Sequence, residues 1–212
     1  MKAVIFDMDG TLIDSMGMWK DLDKDFFGKR NIEFTQEIAN RVKTMSLKMC
    51  SEFFKDFYNL PETADEIYNE FCDRINEFYS YEVQEKENAF NVLKEYKQKG
   101  YKVVLGTATG KEFVDRVLER FDIEKYFDFV MTSDMASSSK SSPDFFRKIA
   151  DKLSIEPEEI FLFDDAPHAL DAARKLGIVT VAVYDESAEK YWEKIVKENR
   201  YSIRSFKEWE VE

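Results

Sequence analysis

The pattern that most constrains this chain is the alternation of short apolar runs with amphipathic segments after residue 85. The apolar runs predict strands at 101–105, 127–131, 160–163 and 178–183. Segments of helical periodicity predict helices at 89–99, 111–121, 143–153, 167–176 and 188–198. Gly100 and Gly177 mark the ends of two of these helices, and Pro143 suits the first turn of another. Because strands and helices alternate, the expected fold is α/β, with a doubly wound (Rossmann-like) parallel sheet.

The N-terminal part adds one strand and then changes character. Residues 3–6 form an apolar run that predicts a buried strand, whereas 15–81 contain no convincing strand. Apolar side chains recur there every three or four residues, as at Trp19, Leu22 and Phe26, which predicts amphipathic helices. Asn59 and Pro61 predict a break between helices. We therefore expect a helical domain, 15–85, inserted into a core domain made of 1–14 and 86–212. The sequence leaves open whether 201–206 adds an edge strand to the sheet.

Charge limits the class of partner. The 31 Lys and Arg residues stand against 43 Asp and Glu residues, giving a formal net charge of −12. Nucleic acids and anionic membranes are polyanions that such a surface repels, so neither is an expected partner. The apolar run at the N-terminus is too short for a signal peptide or a membrane span. The expectation is a cytoplasmic protein, with a monomer favoured, and the net charge does not exclude a small anionic substrate.

Polar side chains follow the predicted strands at the point where the carboxyl ends of a parallel sheet meet. In chain order they are Asp7 and Asp9, Thr107, Lys140 in the loop after the third strand, and Asp164 with Asp165. Burying several carboxylates close together costs free energy unless a cation balances them. A hard divalent ion with oxygen ligands meets that need, and Mg²⁺ fits best.

These side chains belong to four short motifs that occur in a fixed order. They are Asp7-Met8-Asp9-Gly10-Thr11, Thr107 closing a hydrophobic strand, Lys140-Ser141-Ser142-Pro143-Asp144, and the acidic pair Asp164-Asp165. Together they resemble the motifs of the haloacid dehalogenase-like (HAD) superfamily, in its branch of phosphatases and β-phosphoglucomutases with a helical cap. The resemblance spans nearly the whole chain, and the insertion after the first motif resembles the small helical cap of that family.

The resemblance implies a role for each of these residues. Asp7 would be the nucleophile, Asp9 the general acid and base, and Thr107 and Lys140 would stabilise the transferred phosphoryl group. The substrate would contact Met8, Thr107, Ala108 and Lys140. Mg²⁺ would be held by Asp7, Asp9 through its backbone carbonyl, Asp164 and Asp165. A second interpretation stays open for the acidic pair, which could also cap the helix that follows.

Other candidates near these motifs are weaker. Asp171 lies inside a predicted helix, six residues past the acidic pair, whereas a further acid in the family usually follows by four, where this chain has Ala169. Asp171 is therefore excluded from the metal site. His168, the only histidine, is interpreted as a residue of the first helical turn. In the cap, Lys43 and Lys48 occupy a stretch that often faces the site in relatives, but solvated helix charges explain them equally well.

The leading prediction is a Mg²⁺-dependent phosphatase that hydrolyses a small phosphate ester, such as a sugar phosphate, through an aspartyl-phosphate on Asp7. A β-phosphoglucomutase-like phosphomutase is the nearest alternative, because it needs the same Asp7 and Asp9. A dehalogenase is disfavoured because it needs neither Asp9 nor a metal, and no feature indicates the cap lysine of a phosphonate hydrolase. A non-catalytic binding protein with this fold remains a third alternative, although the chain retains both acids.

Overall fold

The computed structural model describes residues 2–42 and 45–211 of the chain. It divides into two compact units, which are Met1–Met16 with Val83–Glu212 (the core unit) and Gly17–Glu82 (the helical unit). The helical unit begins two residues later than the predicted cap and ends three residues earlier. Lys43 lies outside the described residues.

The secondary structure follows the predicted alternation of strands and helices. The strands are β1 (Ala3–Phe6), β2 (Ile13–Asp14), β3 (Gln84–Glu85), β4 (Lys102–Thr107), β5 (Phe129–Thr132), β6 (Ile160–Asp164), β7 (Val179–Val183) and β8 (Tyr201–Ile203). The helices are α1 (Met16–Gly28), α2 (Gln36–Val42), α3 (Leu47–Tyr58), α4 (Ala64–Glu77), α5 (Ala89–Gln98), α6 (Lys111–Phe121), α7 (Ser133–Ala136), α8 (Pro143–Leu153), α9 (Pro167–Leu176) and α10 (Trp192–Glu198). Among the described residues, no helix combines the length and apolar composition needed to cross a membrane.

A six-stranded parallel sheet forms the centre of the core unit, in the order β5-β4-β1-β6-β7-β8. β1 occupies the middle because its residues, Ala-Val-Ile-Phe, are buried on both faces. Phe6 of β1 pairs with Leu105 of β4 and with Phe163 of β6, so these three strands end near the same edge. In chain order, β4 and β5 add to one side of β1, and β6, β7 and β8 then add to the other side. This reversal places the crevice of a doubly wound sheet at the carboxyl end of β1. The predicted α/β fold is confirmed.

Alternate side chains along β1 pack on opposite faces of this sheet. On one face, Ile5 packs in a cluster with Phe145 of α8 and Ala173 of α9. On the other face, Phe6 stacks on Phe163 with ring centroids 5.0 Å apart. Burying a large apolar side chain contributes about 1.5–3 kcal/mol, so packing on both faces fixes the position of the strand ends.

The structure differs from the predicted elements at the margins of the sheet. β2 and β3 pair antiparallel in a ribbon of two residues each, too short to produce a strand pattern in the sequence. The stretch predicted as a single helix, 188–198, is a 3₁₀-helix, Glu186–Tyr191, followed by α10. Asp185 begins this turn early, because its carboxylate accepts a hydrogen bond from the backbone nitrogen of Ser187 at 2.9 Å. The sequence leaves undecided whether 201–206 forms an edge strand. The strand is present as β8, but it is shorter than that range.

Aromatic rings form the core of the helical unit. Phe26 of α1 stacks on Phe71 of α4 with centroids 4.7 Å apart, and Phe27 meets Phe54 of α3 edge-on at 4.8 Å. Such pairs contribute about 0.5–1.5 kcal/mol beyond their buried area. α3 ends at Tyr58, and the following residue, Asn59, stops the helix with a φ of 49° near the predicted break. These buried aromatic residues therefore serve the packing of the unit itself.

Candidate active site

The carboxyl edge of the sheet gathers the polar side chains that the sequence placed at strand ends. Asp7 follows β1 directly, Thr107 is the last residue of β4 and Asp164 is the last residue of β6. The pairing of β1 with β4 and β6 brings these three ends together. All three side chains are buried, as are Asp165 and Lys140. We call these five residues the charged rim.

Lys140 joins two carboxylates of the charged rim. Its Nζ donates a hydrogen bond to Asp7 Oδ1 and lies 2.7 Å from Asp164 Oδ2. The other oxygen of Asp164 accepts a hydrogen bond from the backbone nitrogen of Ala166 at 2.9 Å. Asp164 therefore holds the ammonium of Lys140 and also orders the turn that leads into α9.

Burial and neighbouring charges shift the protonation equilibria of the charged rim. Burial raises the pKa of Asp7 to about 7, and the carboxylates of Asp164 and Asp9 add to this effect while Lys140 opposes it. Burial, together with the charges of Asp7 and Asp164, raises the pKa of Asp165 well above its usual value. Burial alone would lower the pKa of Lys140, but Asp164 and Asp7 outweigh it and the net shift is upward. Lys140 therefore remains an ammonium at neutral pH.

Asp165 is the carboxylate of the charged rim that forms no ion pair with a described residue, although the positive charge of Lys140 partly opposes the rise in its pKa. It accepts a hydrogen bond from Thr11 Oγ1 at 3.2 Å. Oxygens of Asp7, Asp164 and Asp165 lie within 4.8 Å of one another. With Lys140 as the cation, these three carboxylates leave two formal negative charges unbalanced, which a divalent ion with oxygen ligands would offset. This set of donors fits Mg²⁺.

Gly10 allows the first motif to approach Asp165 closely. Its φ is 78°, and a Cβ at this position would lie 2.7 Å from the carboxyl carbon of Asp165. Glycine meets both demands, because it adopts a positive φ without strain and leaves the space beside the carboxylate open. The backbone turn of the first motif and the position of the Asp165 carboxylate are therefore coupled.

Two hydroxyl groups hold Asp9, the second acid of the first motif. Ser15 Oγ donates to Asp9 Oδ1 at 2.6 Å, and Thr109 Oγ1 donates to Asp9 Oδ2 at 2.7 Å. Asp9 is half-buried whereas Asp7 is buried, so the two acids occupy different environments. Sequence reasoning missed Ser15 and Thr109. Both lie within six residues of a predicted site residue, but hydroxyl side chains are too common near strand ends to stand out.

The other residues predicted to contact the substrate lie at the carboxyl ends of β1 and β4. Thr107 Oγ1 accepts a hydrogen bond from the backbone nitrogen of Thr109 at 3.1 Å, which leaves the hydroxyl hydrogen available to a ligand. Ala108 is exposed. The side chain of Met8 is buried, so only its backbone could meet a substrate.

Three other candidates are not part of the charged rim. Asp171 is on the surface of α9, where it pairs with Arg174 at 2.9 Å and Lys175 at 2.6 Å. His168 is exposed in the first turn of the same helix. Lys48 is an exposed residue of α3 in the helical unit.

Known proteins of similar sequence or structure provide a comparison. The phosphorylated carbohydrates phosphatase of Thermotoga maritima is 24% identical over 178 residues, which span 84% of this chain and 82% of that protein. The β-phosphoglucomutase of Clostridium difficile matches with a TM-score of 0.72 at 20% identity, covering 99% of this chain and 93% of its own. A CbbY variant from Rhodobacter sphaeroides, in complex with xylulose-(1,5)bisphosphate, matches with a TM-score of 0.77 at 19% identity, covering 97% and 94%. At these identities the two structures show a shared fold.

The family is established by a separate comparison. The sequence profile of haloacid dehalogenase-like hydrolases matches residues 4–183. This stretch includes the whole charged rim and most of the parallel sheet. It confirms the predicted resemblance and, with it, the assignment of the protein as an enzyme. The chain belongs to the haloacid dehalogenase-like hydrolase family.

Proposed function

We propose that this protein is a Mg²⁺-dependent phosphatase that hydrolyses a small phosphorylated metabolite of the sugar-phosphate class. The observation that carries the proposal is the contrast between two nearby acids. Asp7 is buried and paired with Lys140, whereas Asp9 is half-buried and held by two hydroxyl groups. Acids in different environments can divide the roles of nucleophile and proton donor. The names of the Thermotoga maritima relative and of the CbbY complex support the substrate class.

In the first half-reaction, a carboxylate oxygen of Asp7 attacks phosphorus, and the bond from phosphorus to the leaving alcohol breaks. Asp9 donates its proton to the oxygen of the leaving group. Lys140 balances negative charge beside Asp7, while the Thr107 hydroxyl and the backbone amide of Ala108 donate hydrogen bonds to the phosphoryl oxygens. The product of this step is an acyl phosphate on Asp7.

In the second half-reaction, water attacks the phosphorus of the acyl phosphate. Asp9, now ionised, accepts a proton from that water as the bond between phosphorus and Asp7 breaks. Inorganic phosphate leaves, and both acids return to their starting protonation states. The hydrogen bonds from Ser15 and Thr109 keep the Asp9 carboxylate in position for both proton transfers.

Asp7, Asp164, Asp165 and the backbone carbonyl of Asp9 are the groups that would hold Mg²⁺. When bound, the ion supplies positive charge beside the transferred phosphoryl oxygens. Positive charge next to Asp7 also favours its ionised, nucleophilic form against the effect of burial. EDTA should therefore abolish turnover, and added Mg²⁺ should restore it.

The test is a screen of the purified protein against phosphate esters, with Mg²⁺ and with EDTA. The panel holds hexose phosphates, phosphoglycolate, nucleotides and β-glucose 1-phosphate, and released phosphate is measured. Asp7→Asn removes the nucleophile and keeps the shape of the side chain, so turnover should disappear. Asp171→Asn is the matched control, because it makes the same change at a surface position, and it should retain full activity.

Each other result of the screen has a defined meaning. Conversion of β-glucose 1-phosphate to glucose 6-phosphate without phosphate release would replace the phosphatase with the phosphomutase alternative. Equal activity of wild type and Asp7→Asn would refute Asp7 as nucleophile. No turnover of any ester by folded wild type would contradict the proposed substrate class.

A further inference from the structure

A cavity in the core unit lies at the amino ends of the strands, opposite the charged rim. It has a volume of about 310 Å³, and the rings of Tyr96, Tyr101, Phe161, Tyr201 and Trp209 line it. Tyr101 precedes β4, Phe161 is the second residue of β6 and Tyr201 is the first residue of β8. Small-molecule sites in proteins begin at about 300 Å³ and are typically lined by apolar and aromatic side chains. We call this space the aromatic cavity.

The rings of the aromatic cavity stand at steep angles to one another. Trp209 meets Tyr201 at 5.4 Å and 83°, and it meets Phe161 at 6.2 Å and 73°. Tyr101 meets Tyr96 at 4.9 Å and 82°. Trp209 Nε1 donates a hydrogen bond to Tyr96 Oη at 3.0 Å, which fixes the indole. Four of the five rings are half-buried, so they keep accessible surface, and the face of such a ring carries negative partial charge.

The charged groups around the aromatic cavity are mainly negative. Glu208 and Glu210 line it, and both side chains are exposed at its margin. Lys207 also lines it, but its Nζ lies 2.5 Å from a carboxylate oxygen of Glu87. Since that ammonium is already paired, the two glutamates outnumber the one further cation beside the rings, the guanidinium of Arg200, and a local excess of negative charge remains. An anionic ligand would be repelled here, whereas a cation would meet complementary charge.

We propose that the aromatic cavity binds a small organic cation of the quaternary ammonium or methylated amine class. Aromatic faces attract such cations within about 6 Å of the ring centroid, and walls of several rings recognise methylated ammonium groups in this way. The guanidinium of Arg200 lies 5.3 Å from the centroid of Tyr201 and would compete with a ligand for that ring. Glu208 and Glu210 add long-range attraction at the margin. This proposal does not depend on the phosphatase reaction, because the cavity and the charged rim lie at opposite ends of the strands.

The test is a titration of the full chain with choline, followed by the ¹H NMR signal of its methyl groups. Ring currents from the faces of the aromatic walls should move this signal upfield, with a Kd of about 1 mM. The matched ligand control is 3,3-dimethylbutan-1-ol, which has nearly the same shape as choline but no charge. If the cation is what the cavity recognises, the neutral alcohol should bind at least about tenfold more weakly.

Variants localise the binding. Trp209→Leu should abolish the shift, and Tyr201→Leu serves the same purpose if Trp209→Leu does not fold. Glu210→Gln should weaken binding about threefold, whereas Glu193→Gln, an exposed glutamate on α10, should have no effect. Equal affinity for choline and the alcohol would overturn the proposal, as would the absence of any shift up to about 50 mM choline with folded protein. Undiminished binding by a folded Trp209→Leu or Tyr201→Leu variant would also overturn it.

Discussion

The charged rim and the core of the helical unit bury opposite kinds of side chain. The charged rim buries three carboxylates and one ammonium with little or no exposed surface, where each charge depends on its neighbours. The helical unit buries rings such as Phe26, Phe54 and Phe71, whose packing needs no partner of opposite charge. Burial of charge costs free energy, whereas burial of rings stabilises the fold. The first arrangement opposes stability and is explained by the proposed chemistry, whereas the second accounts for stability.

The largest expected effect is at Lys140. Lys140→Met removes the cation that holds Asp7 and Asp164, so their charges would remain buried without a partner. We expect activity to fall by about 10³-fold or more and the free energy of unfolding to fall by about 3–5 kcal/mol. Assays of phosphate release and urea denaturation measure the two effects. Lys175→Met, which removes an exposed ammonium paired with Asp171, should change stability by less than about 1 kcal/mol.

The corresponding variant in the helical unit should affect stability through packing. Phe54 is fully buried, and Phe54→Ala should lower the free energy of unfolding by about 3–5 kcal/mol because it leaves a cavity among the rings. Phe57, three residues on, is 50% exposed, and Phe57→Ala should cost less than about 1 kcal/mol. Similar losses for the two variants in thermal or urea denaturation would contradict the assignment of these rings to a packed core.

A smaller effect is expected at Thr109, which holds Asp9 and lies outside the charged rim. Thr109→Val keeps the shape of the side chain but removes the hydrogen bond to Asp9 Oδ2, so kcat should fall about tenfold while KM changes little. Thr109→Ser retains the hydroxyl and should restore most of the activity. A change confined to KM would mean that Thr109 contacts the substrate and does not position the acid.

The smallest effect tests a carboxylate of the helical unit. Burial raises the pKa of Asp23 to about 6, and no described residue forms an ion pair with it. The folded state therefore retains the proton more strongly than the unfolded state, whose pKa is about 3.9. Stability is lost as pH rises from about 4 to about 6, because the folded protein must then bury a charge.

Asp23→Asn removes this cost. The variant should gain about 1 kcal/mol relative to wild type above pH 6, after allowance for solvent screening of a half-buried group, and nothing near pH 4. Thermal denaturation across this pH range measures the difference. Asp21→Asn, at an exposed position of the same helix, should show no such gain. A gain for Asp23→Asn that does not vary with pH would contradict the explanation by ionisation.

The sequence predicts the sheet well where an apolar run or a helical pattern is bounded by residues that end the element. β1 is apolar on both faces and ends at Asp7, and α9 has Pro167 in its first turn and Gly177 after its last. These local signals are enough to place most of the charged rim at one edge. The pairing of Lys140 with Asp164 does not follow from them, because it depends on the conformation of a loop between two distant strands.

Contacts between distant residues account for what the sequence could not predict. Thr109 and Asp9 are 100 positions apart, and their hydrogen bond depends on the register of β1 and β4. The aromatic cavity depends in the same way on Trp209, which meets rings from three separate segments. The short ribbon of β2 and β3 is a different case, because two residues carry too little periodicity to detect.

The ribbon of β2 and β3 holds together the two points at which the chain leaves and re-enters the core unit. Ile13 pairs with Glu85 and Asp14 pairs with Gln84, so the chain departs and returns through adjacent backbone positions. In polymer terms, everything between the two strands is one loop whose ends the core itself ties together. Each doubling of such a loop costs only about 0.6 kcal/mol of closure entropy. The insertion can therefore be lengthened, shortened or exchanged for another module, in evolution or in design, while the six-stranded sheet keeps its register.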